Sequence, residues 1–500
     1  MKRAKTLQIC GTGSGVGKSV IVAGLCRIFL QDGFRVCPFK AQNMALNSFV
    51  TKEQGEIGRA QAAQAMACRI EPSVDMNPVL IKPTSDLGAQ IIVRGKPRAN
   101  MKAAEYIKYK KNLKKVVRES FLRLSHKYDI VVIEGAGSPA EINLKSHDIV
   151  NLKMAEYAKA PVILVGDIDK GGVFAWLVGT LELLNKKEKA MINGIIINKF
   201  RGDKTLLAPG IRFLEKRTGI KVLGVVPYFK NIKIPEEDSV PLDTYVHKNK
   251  KRKDTLHIDV IYLPHISNFT DFDALEKEED VALKYIKRAE ELNNPDIIII
   301  PGSKNTIADL RYLKKAGLAQ QIISSINHRP SIVLLGICGG YQMLGEKIFD
   351  KHSLESNTKE IDGLGLLPVN TVLEKRKVLA QIKATEIASG LEVSGYEIHH
   401  GSSNISEDYT PIFEISEFNG KRVEYFDGVK NKDERIFGTY IHGLFDSDIF
   451  RRNWLNRIRQ KKGWHPLPTK IVFNPDKEFD KLAKLLRENI DIKLLYKILV

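Results

Sequence analysis

A chain of 500 residues with 43% hydrophobic and 27% charged residues is ordinary globular material, long enough for two or three domains, which excludes a disordered or fibrous class. The formal charge of +19 is spread over many segments, such as Lys108 to Lys115 and Lys314-Lys315, so it reads as a surface suited to anionic small substrates and not as a nucleic-acid stripe. Five scattered cysteines (Cys10, Cys26, Cys37, Cys68, Cys338) without metal-type spacing, no membrane-length apolar run and no leader before residue 6 point to reduced thiols in the cytoplasm, with no membrane partner.

In chain order, residues 6–10 read as a strand, followed by Gly11-Thr12-Gly13-Ser14-Gly15-Val16-Gly17-Lys18-Ser19 and a helix with Ile21, Leu25, Ile28 and Phe29 on one face. Strand, glycine-rich loop, Lys-Ser and helix make a phosphate cradle. Backbone N–H groups and the helix N-terminus meet phosphate oxygens, Lys18 reaches the terminal phosphates and Ser19 ligates magnesium. Five residues, not the usual four, separate Gly11 from Gly17, and Gly13 and Gly15 lend the longer loop its freedom.

Residues 35–39 read as a second strand that ends in the polar stretch Lys40-Ala41-Gln42-Asn43-Met44-Ala45-Leu46-Asn47-Ser48, at the sheet edge where ligands sit in open parallel sheets. Residues 53–68 are expected to be helical, with Glu56, Arg59 and Gln61 near the start, and residues 77–86 form another polar exit from an apolar run. The strand 129–133 ends at Glu134-Gly135-Ala136-Gly137, placing a carboxylate where magnesium would bind. Strands at 161–166, 194–198 and 222–226 continue the alternation, which argues for a parallel sheet covered by helices. Asn198 and Pro227 fall, by position alone, where a base-recognition loop is expected.

Residues 229–256, with Ile234-Pro235-Glu236-Glu237-Asp238 and a Lys/Arg run at 248–253, break the pattern and read as a linker. Residues 258–263 start a second sheet, and the strand 296–300 ends at Pro301-Gly302-Ser303-Lys304. Ser331 to Gly345 then reads as strand, sharp turn and helix, with Cys338 held out at the turn between Gly336 and Gly339-Gly340 in the manner of a nucleophile elbow. Its base is sought among His399, His400 and His442; His442 follows an apolar strand and precedes glycine, the exposed strand end that a catalytic imidazole needs, and is the expected one.

Gly336-Ile337-Cys338-Gly339-Gly340-Tyr341-Gln342, with Pro301-Gly302-Ser303 and Tyr440-Ile441-His442-Gly443, resembles a class I glutamine amidotransferase domain. Gly11 to Ser19, Pro38-Phe39-Lys40-Ala41-Gln42-Asn43-Met44, Asn77-Pro78-Val79-Leu80 and Glu134-Gly135-Ala136-Gly137 resemble a dethiobiotin-synthetase-like ATP domain. Fused in this order, and over essentially the whole chain, they are similar to the glutamine-hydrolysing cobyric acid synthase family. The resemblance implies an α/β protein of two doubly wound, mostly parallel-sheet domains, P-loop NTPase-like at 1–228 and a flavodoxin-like glutaminase at 257–450, with a linker at 229–256 and a helical tail at 451–500.

It also implies ATP-dependent amidation of the b, d, e and g carboxylates of adenosylcobyrinic acid a,c-diamide in cobalamin biosynthesis, with L-glutamine as nitrogen donor, magnesium (Mg2+) as cofactor, and a homo-oligomer left open. Carried onto this chain, Cys338 attacks the glutamine amide and His442 shuttles protons, while the backbone N–H of Gly339 and one from the Gly302-Ser303 turn stabilise the oxyanion. Gly11, Thr12, Gly13, Gly15, Gly17, Lys18 and Ser19 hold ATP, with Lys40 a candidate for the γ-phosphate or the substrate carboxylate. Ser19 and Glu134 hold the metal, with Glu56 a further candidate. Leu444 stands where many relatives place a glutamate, so a Cys-His dyad is expected, with Glu397 or a backbone carbonyl left open as the orienter of His442. Three rivals remain: a switch-type P-loop ATPase, for which residues 12–16 lack the extra lysine, the a,c-diamide-forming relative, and a binding module with a degenerate glutaminase.

Overall fold

The computed structural model of the protein describes residues 3–83, 88–229, 231, 232, 234, 253–405, 409–471 and 474–499. Most of the 229–256 linker, its basic run up to Arg252 and the Thr84-Ser85-Asp86 part of the polar exit lie outside the described residues.

The first sheet is built from runs such as Ile130–Glu134 and Val162–Asp167, in which every residue is buried. Strands covered on both faces need such continuous apolar runs, and here they pair in parallel throughout. The order across the sheet is Val222–Pro227, Ile192–Phe200, Val162–Asp167, Lys5–Gly11, Ile130–Glu134, Val36–Phe39. The chain enters in the middle at Lys5–Gly11, goes to the Val36–Phe39 edge, returns to Ile130–Glu134 and then moves outward on the other side, which gathers Gly11, Glu134 and Asp167 at the carboxyl ends of three adjacent strands. A smaller sheet of Gln42–Met44, Val79–Pro83, Gly88–Val93 and Lys96–Lys102 extends this half.

The second sheet has eleven strands and is mixed. Val281–Ile286, Leu256–Ile261, Ile297–Ile300, Val333–Ile337 and Ile436–Thr439 run parallel, and beyond them the pairing turns mostly antiparallel. The two long strands Val369–Glu386 and Glu392–Ile405 carry alternating burial over much of their length, the mark of a sheet with one face toward solvent.

One element departs from the expectation. Residues 53–68 are not one helix: Ser48–Val50 and Glu56–Gly58 form a two-stranded hairpin, and the helix starts at Arg59. Gln54 has φ 59°, and a Cβ on Gly55 would lie 2.2 Å from Val74 Cγ1, so the chain turns tightly where the helix was expected to begin. The C-terminal segment, expected as a helical tail, is helical and packs against both halves. Helix Asp448–Lys461 crosses the expected boundary at 450 and contributes Phe450, Trp454, Leu455 and Ile458 to the core of the second half. Helix Pro475–Asn489 returns to the first half, where Phe479, Leu482, Ala483 and Leu486 join the core beneath helix Lys18–Gln31. A Cβ on Gly24 would sit 2.3 Å from Leu486 Cδ1, and buried Arg27 pairs with Asp476 and Asp480. Among the described residues no helix is long and apolar enough to cross a membrane.

Candidate active sites

At the first site the loop after Lys5–Gly11 feeds helix Lys18–Gln31 through Gly17, whose φ of 95° only glycine adopts easily. A Cβ there would meet Asn198 Nδ2 at 2.2 Å, because the Asn198 amide donates to the Val16 carbonyl at 2.9 Å and clamps the loop from strand Ile192–Phe200, two places along the sheet. Lys18 Nζ donates to the carbonyls of Gly13, 2.7 Å, and Gly137, 3.2 Å, so it bridges the phosphate loop and the glycine loop after Ile130–Glu134. Lys199 Nζ adds a bond to the Gly15 carbonyl, 2.6 Å, and a salt bridge to buried Asp167.

Glu134 is the hub. Its Oε1 accepts from Ser19 Oγ and from Lys40 Nζ, both at 2.8 Å, and its Oε2 accepts from the Gln61 and Gln64 amides. Burial alone would push this carboxyl up, yet the Lys40 ammonium and the hydrogen bonds from Lys40, Gln64 and Ser19 hold it below its ordinary range, so it stays ionised. A hydroxyl and a carboxylate meeting at the head of a phosphate loop fit a hard cation that takes its other ligands from phosphate and water. Among the described residues no three His, Cys, Asp or Glu side chains gather into a metal cluster, so such a cation would need those outside ligands. Lys40 thus belongs to the site by way of Glu134.

Glu56 is not brought there. Its carboxylate lies between Lys82 Nζ, 2.7 Å, and Lys377 Nζ, 2.6 Å, at the seam between the two halves, because the hairpin carries it away from the helix that bears Gln61 and Gln64.

At the second site Cys338 ends strand Val333–Ile337 with φ 52° and ψ −105°, a strained conformation for a residue with a Cβ. The turn closes only because its neighbours are small: a Cβ on Gly340 would lie 1.9 Å from the Ile300 carbonyl oxygen and one on Gly339 would lie 2.8 Å from Ser303 N. The same approach sets the Gly339 backbone against the Gly302-Ser303 turn, and a Cβ on Gly302 would stand 3.0 Å from His442 Cε1. Gly339, next to Cys338, and His442 therefore both lie against the Gly302-Ser303 turn.

His442 is fully buried, and its main chain is fixed by reciprocal bonds with Tyr396, whose ring stacks on the imidazole. Its Nδ1 meets Asp271 Oδ2 at 2.7 Å, and Asp271 Oδ1 accepts from the Gly443 N–H at 2.9 Å. The expected dyad is therefore corrected to a set of three, with a carboxylate supplied by the 3-10 turn Phe269–Phe272 after the first strand of the second sheet, 171 residues from the histidine. Glu397, one of the candidate orienters, instead accepts from the Tyr425 hydroxyl. Burial by itself would lower the imidazole pKa; the Asp271 charge and hydrogen bond, followed by the Cys338 side chain, outweigh it and raise it to about 10. His400 is turned to the Glu374 carbonyl and His399 stacks on Tyr440, so neither replaces His442.

The two sites are bound together by the hairpin. Ser48 N donates to Asn268 Oδ1, Phe269 N donates to Asn47 Oδ1, and Asn268 Nδ2 lies 3.4 Å from His442 Nε2.

Comparison with known proteins agrees with this division. Residues 257–450 match the CobB/CobQ-like glutamine amidotransferase domain, and residues 7–242 match the CobQ/CobB/MinD/ParA nucleotide binding domain. The chain is 51% identical over 496 residues to a cobyric acid synthase of Clostridium botulinum (strain Loch Maree / Type A3), covering 99% of each. It is 51% identical over 504 residues to one of Dehalococcoides mccartyi (strain CBDB1) and 48% identical over 510 residues to one of Syntrophobacter fumaroxidans (strain DSM 10017 / MPOB), again covering 99% of each. Half of its residues shared with such relatives from end to end, and both matched domains in the same order, place this chain in the cobyric acid synthase family.

Proposed function

We propose that the chain uses ATP and the side-chain amide of L-glutamine to amidate the b, d, e and g carboxylates of adenosylcobyrinic acid a,c-diamide, one after another. The observation that carries this reading is the presence, in one chain, of the Cys338-His442-Asp271 set and of a phosphate loop facing Glu134. A soluble reducing compartment suits it, since all five cysteines are free and buried.

At the second site Cys338 gives its proton to His442 as Sγ adds to the glutamine side-chain carbonyl, and the charge that develops on oxygen is met by the Gly339 N–H and one from the Gly302-Ser303 turn. The C–N bond breaks as the imidazolium proton of His442 passes to the departing nitrogen, which leaves as neutral ammonia. Asp271 on Nδ1 keeps the other ring nitrogen facing the sulfur and stabilises the charged ring. The imidazole then takes a proton from water, which splits the glutamyl thioester and frees glutamate and the thiol.

At the first site the corrinoid carboxylate attacks the γ-phosphorus of ATP, and the bond from that phosphorus to the bridging oxygen breaks, releasing ADP. The acyl phosphate so formed gives ammonia a far better leaving group than hydroxide, and the C–O bond to phosphate breaks as the amide forms. Lys18 and the loop N–H groups hold the transferring phosphoryl, and Lys40 keeps Glu134 ionised. Magnesium, held by Ser19 and Glu134, would supply neutralisation of phosphate charge.

Two variants test the separation of tasks. Cys338→Ala is expected to abolish glutamine use and to keep amidation supported by ammonium salts, read as mass gain of the corrinoid; loss of both activities counts against separate sites. Lys18→Ala is expected to stop amidation from either nitrogen source and to spare part of the glutaminase reaction. If the diamide is not amidated by the parent protein with ATP and glutamine, the substrate assignment fails.

A further inference from the structure

Beside the phosphate loop a group of large apolar side chains stands in solvent. Ile142 is 63% exposed, Leu144 46%, Trp176 41% and Leu183 49%. Single exposed apolar residues are ordinary, whereas a contiguous set marks a surface that a ligand covers.

These four are contiguous. Ile142 and Leu144 lie on the loop after Ile130–Glu134, whose Gly137 carbonyl accepts from Lys18 Nζ at 3.2 Å. Trp176 lies in the first turn of helix Val173–Glu182, at the exit of Val162–Asp167, and Lys199 ties Asp167 to the Gly15 carbonyl. A Cβ on Gly172 would stand 3.8 Å from Trp176 Nε1, so the indole edge borders the turn that starts this helix. Leu183 comes seven residues after Trp176, two turns along the same face and about 10 Å away. Between them the face is open, since nothing lies within 4 Å of where a Cβ on Gly179 would be. The loop closes against the far end of the helix, where Lys145 Nζ donates to the Leu183 carbonyl at 3.2 Å and pairs with Glu188 at 2.6 Å. Two flanks that each begin beside the phosphate loop therefore meet in one apolar surface.

The reaction assigned to this half constrains what such a surface holds. Four carboxylates at different points of one macrocycle have to face the same γ-phosphorus, so the ring must be held in four orientations. Directional hydrogen bonds to its rim would fix one of them, whereas apolar contact is non-directional and tolerates all four. The broad, methyl-bearing face of a corrin ring matches a bare indole flanked by aliphatic side chains. Cations are needed only toward the rim. There Lys199 and Arg201 neutralise Asp167 and Asp169, and Lys170 is exposed at the same strand exit. We infer that Trp176, with Ile142, Leu144 and Leu183, is the platform on which the corrin ring lies while its carboxylates are presented in turn to the phosphate loop. The inference rests on the corrinoid assignment above.

The test uses the full chain with ATP and the corrinoid diamide, and ammonium chloride as nitrogen source so that the glutaminase reaction plays no part. Trp176→Ala is expected to raise the Michaelis constant for the diamide about tenfold, and to leave that for ATP and the rate at saturating diamide within about twofold. Trp176→Phe, which keeps a ring, is expected to restore most of the loss. Ile142→Asp, on the other flank and well exposed, is expected to act in the same direction with the folded yield retained.

Fluorescence supplies a second reading, because corrinoids absorb where tryptophan emits. Of the three tryptophans only Trp176 lies in the first half; Trp454 belongs to the core of the second and Trp464 packs on Arg459 and Lys462. With a non-hydrolysable ATP analogue present, the diamide is expected to quench the parent protein to saturation, and Trp176→Phe to lose the larger part of that quench. An unchanged Michaelis constant for the diamide in Trp176→Ala overturns the proposal, and so does a quench that Trp176→Phe leaves whole. A rise confined to ATP would make the indole a nucleotide contact, and a change from dimer to monomer in light scattering would make the face a contact between two copies of the chain; either result overturns it as well. If the parent protein neither amidates the diamide nor is quenched by it, the corrinoid assignment itself fails, and the platform with it.

Discussion

At the scale of single residues, the second site turns on Asp271. Two of its oxygens are spent on His442 Nδ1 and the Gly443 N–H, so the carboxylate fixes both the ring and the turn that presents it. Asp271→Asn is expected to lower the glutamine-dependent rate by roughly two to four orders of magnitude, since the amide can support the wrong tautomer, while ammonium-supported amidation persists. The same variant should lower the His442 pKa from about 10 toward its ordinary 6.5, read by NMR of ring-labelled histidine. The sign for stability follows: a histidine raised by its partner stabilises the fold fully below pH 6.5, and that contribution is lost as pH climbs toward about 10. Parent and variant should therefore differ most in unfolding free energy near pH 6 and converge at high pH, and a gap that widens with pH contradicts the pairing.

Cys338 and His442 were legible from strand-turn patterns near each of them, whereas Asp271 was not. Its link to His442 spans 171 residues and two different strand ends, and nothing in local periodicity connects them. A weak signal did exist, because Asn268-Phe269-Thr270-Asp271 follows the first strand of the second sheet, at the edge where ligands collect.

At the scale of elements, the parallel strands of the first sheet were readable because buried two-faced strands leave unbroken apolar runs. The hairpin at 48–58 was not, since Glu53-Gln54-Gly55 turns in response to packing against Val74 and Gly95 and not to any strong turn pair. Nor was the return of the last helices: helix Pro475–Asn489 is amphipathic, which announces a buried face without saying what it meets. That face lies against the helix that carries Lys18 and Ser19. Leu482→Ala is expected to cost about 2–5 kcal/mol in the urea-induced unfolding of the first half, as for other fully buried leucines. It should also weaken nucleotide binding before it affects glutamine hydrolysis. A loss under about 0.5 kcal/mol, the range of surface substitutions, would mean the helix packs only loosely.

At the scale of the whole molecule, the hairpin and its ion bridge make the two halves one machine. The segment from Asn43 to Gln64 touches Glu134 through Gln61 and Gln64, the Lys82 and Lys377 that line the Cys338 cavity through Glu56, and the neighbours of His442 through Asn47 and Ser48. The nitrogen is accordingly expected to travel inside the protein from Cys338 to the Glu134 site. The direct measurement is competition between glutamine labelled with heavy nitrogen at its side-chain amide and an excess of unlabelled ammonium in solution, with the isotope content of the corrinoid amides read by mass spectrometry. Internal transfer predicts product amides that carry the glutamine label despite the excess, and amides that match the isotope ratio of the solution would contradict it.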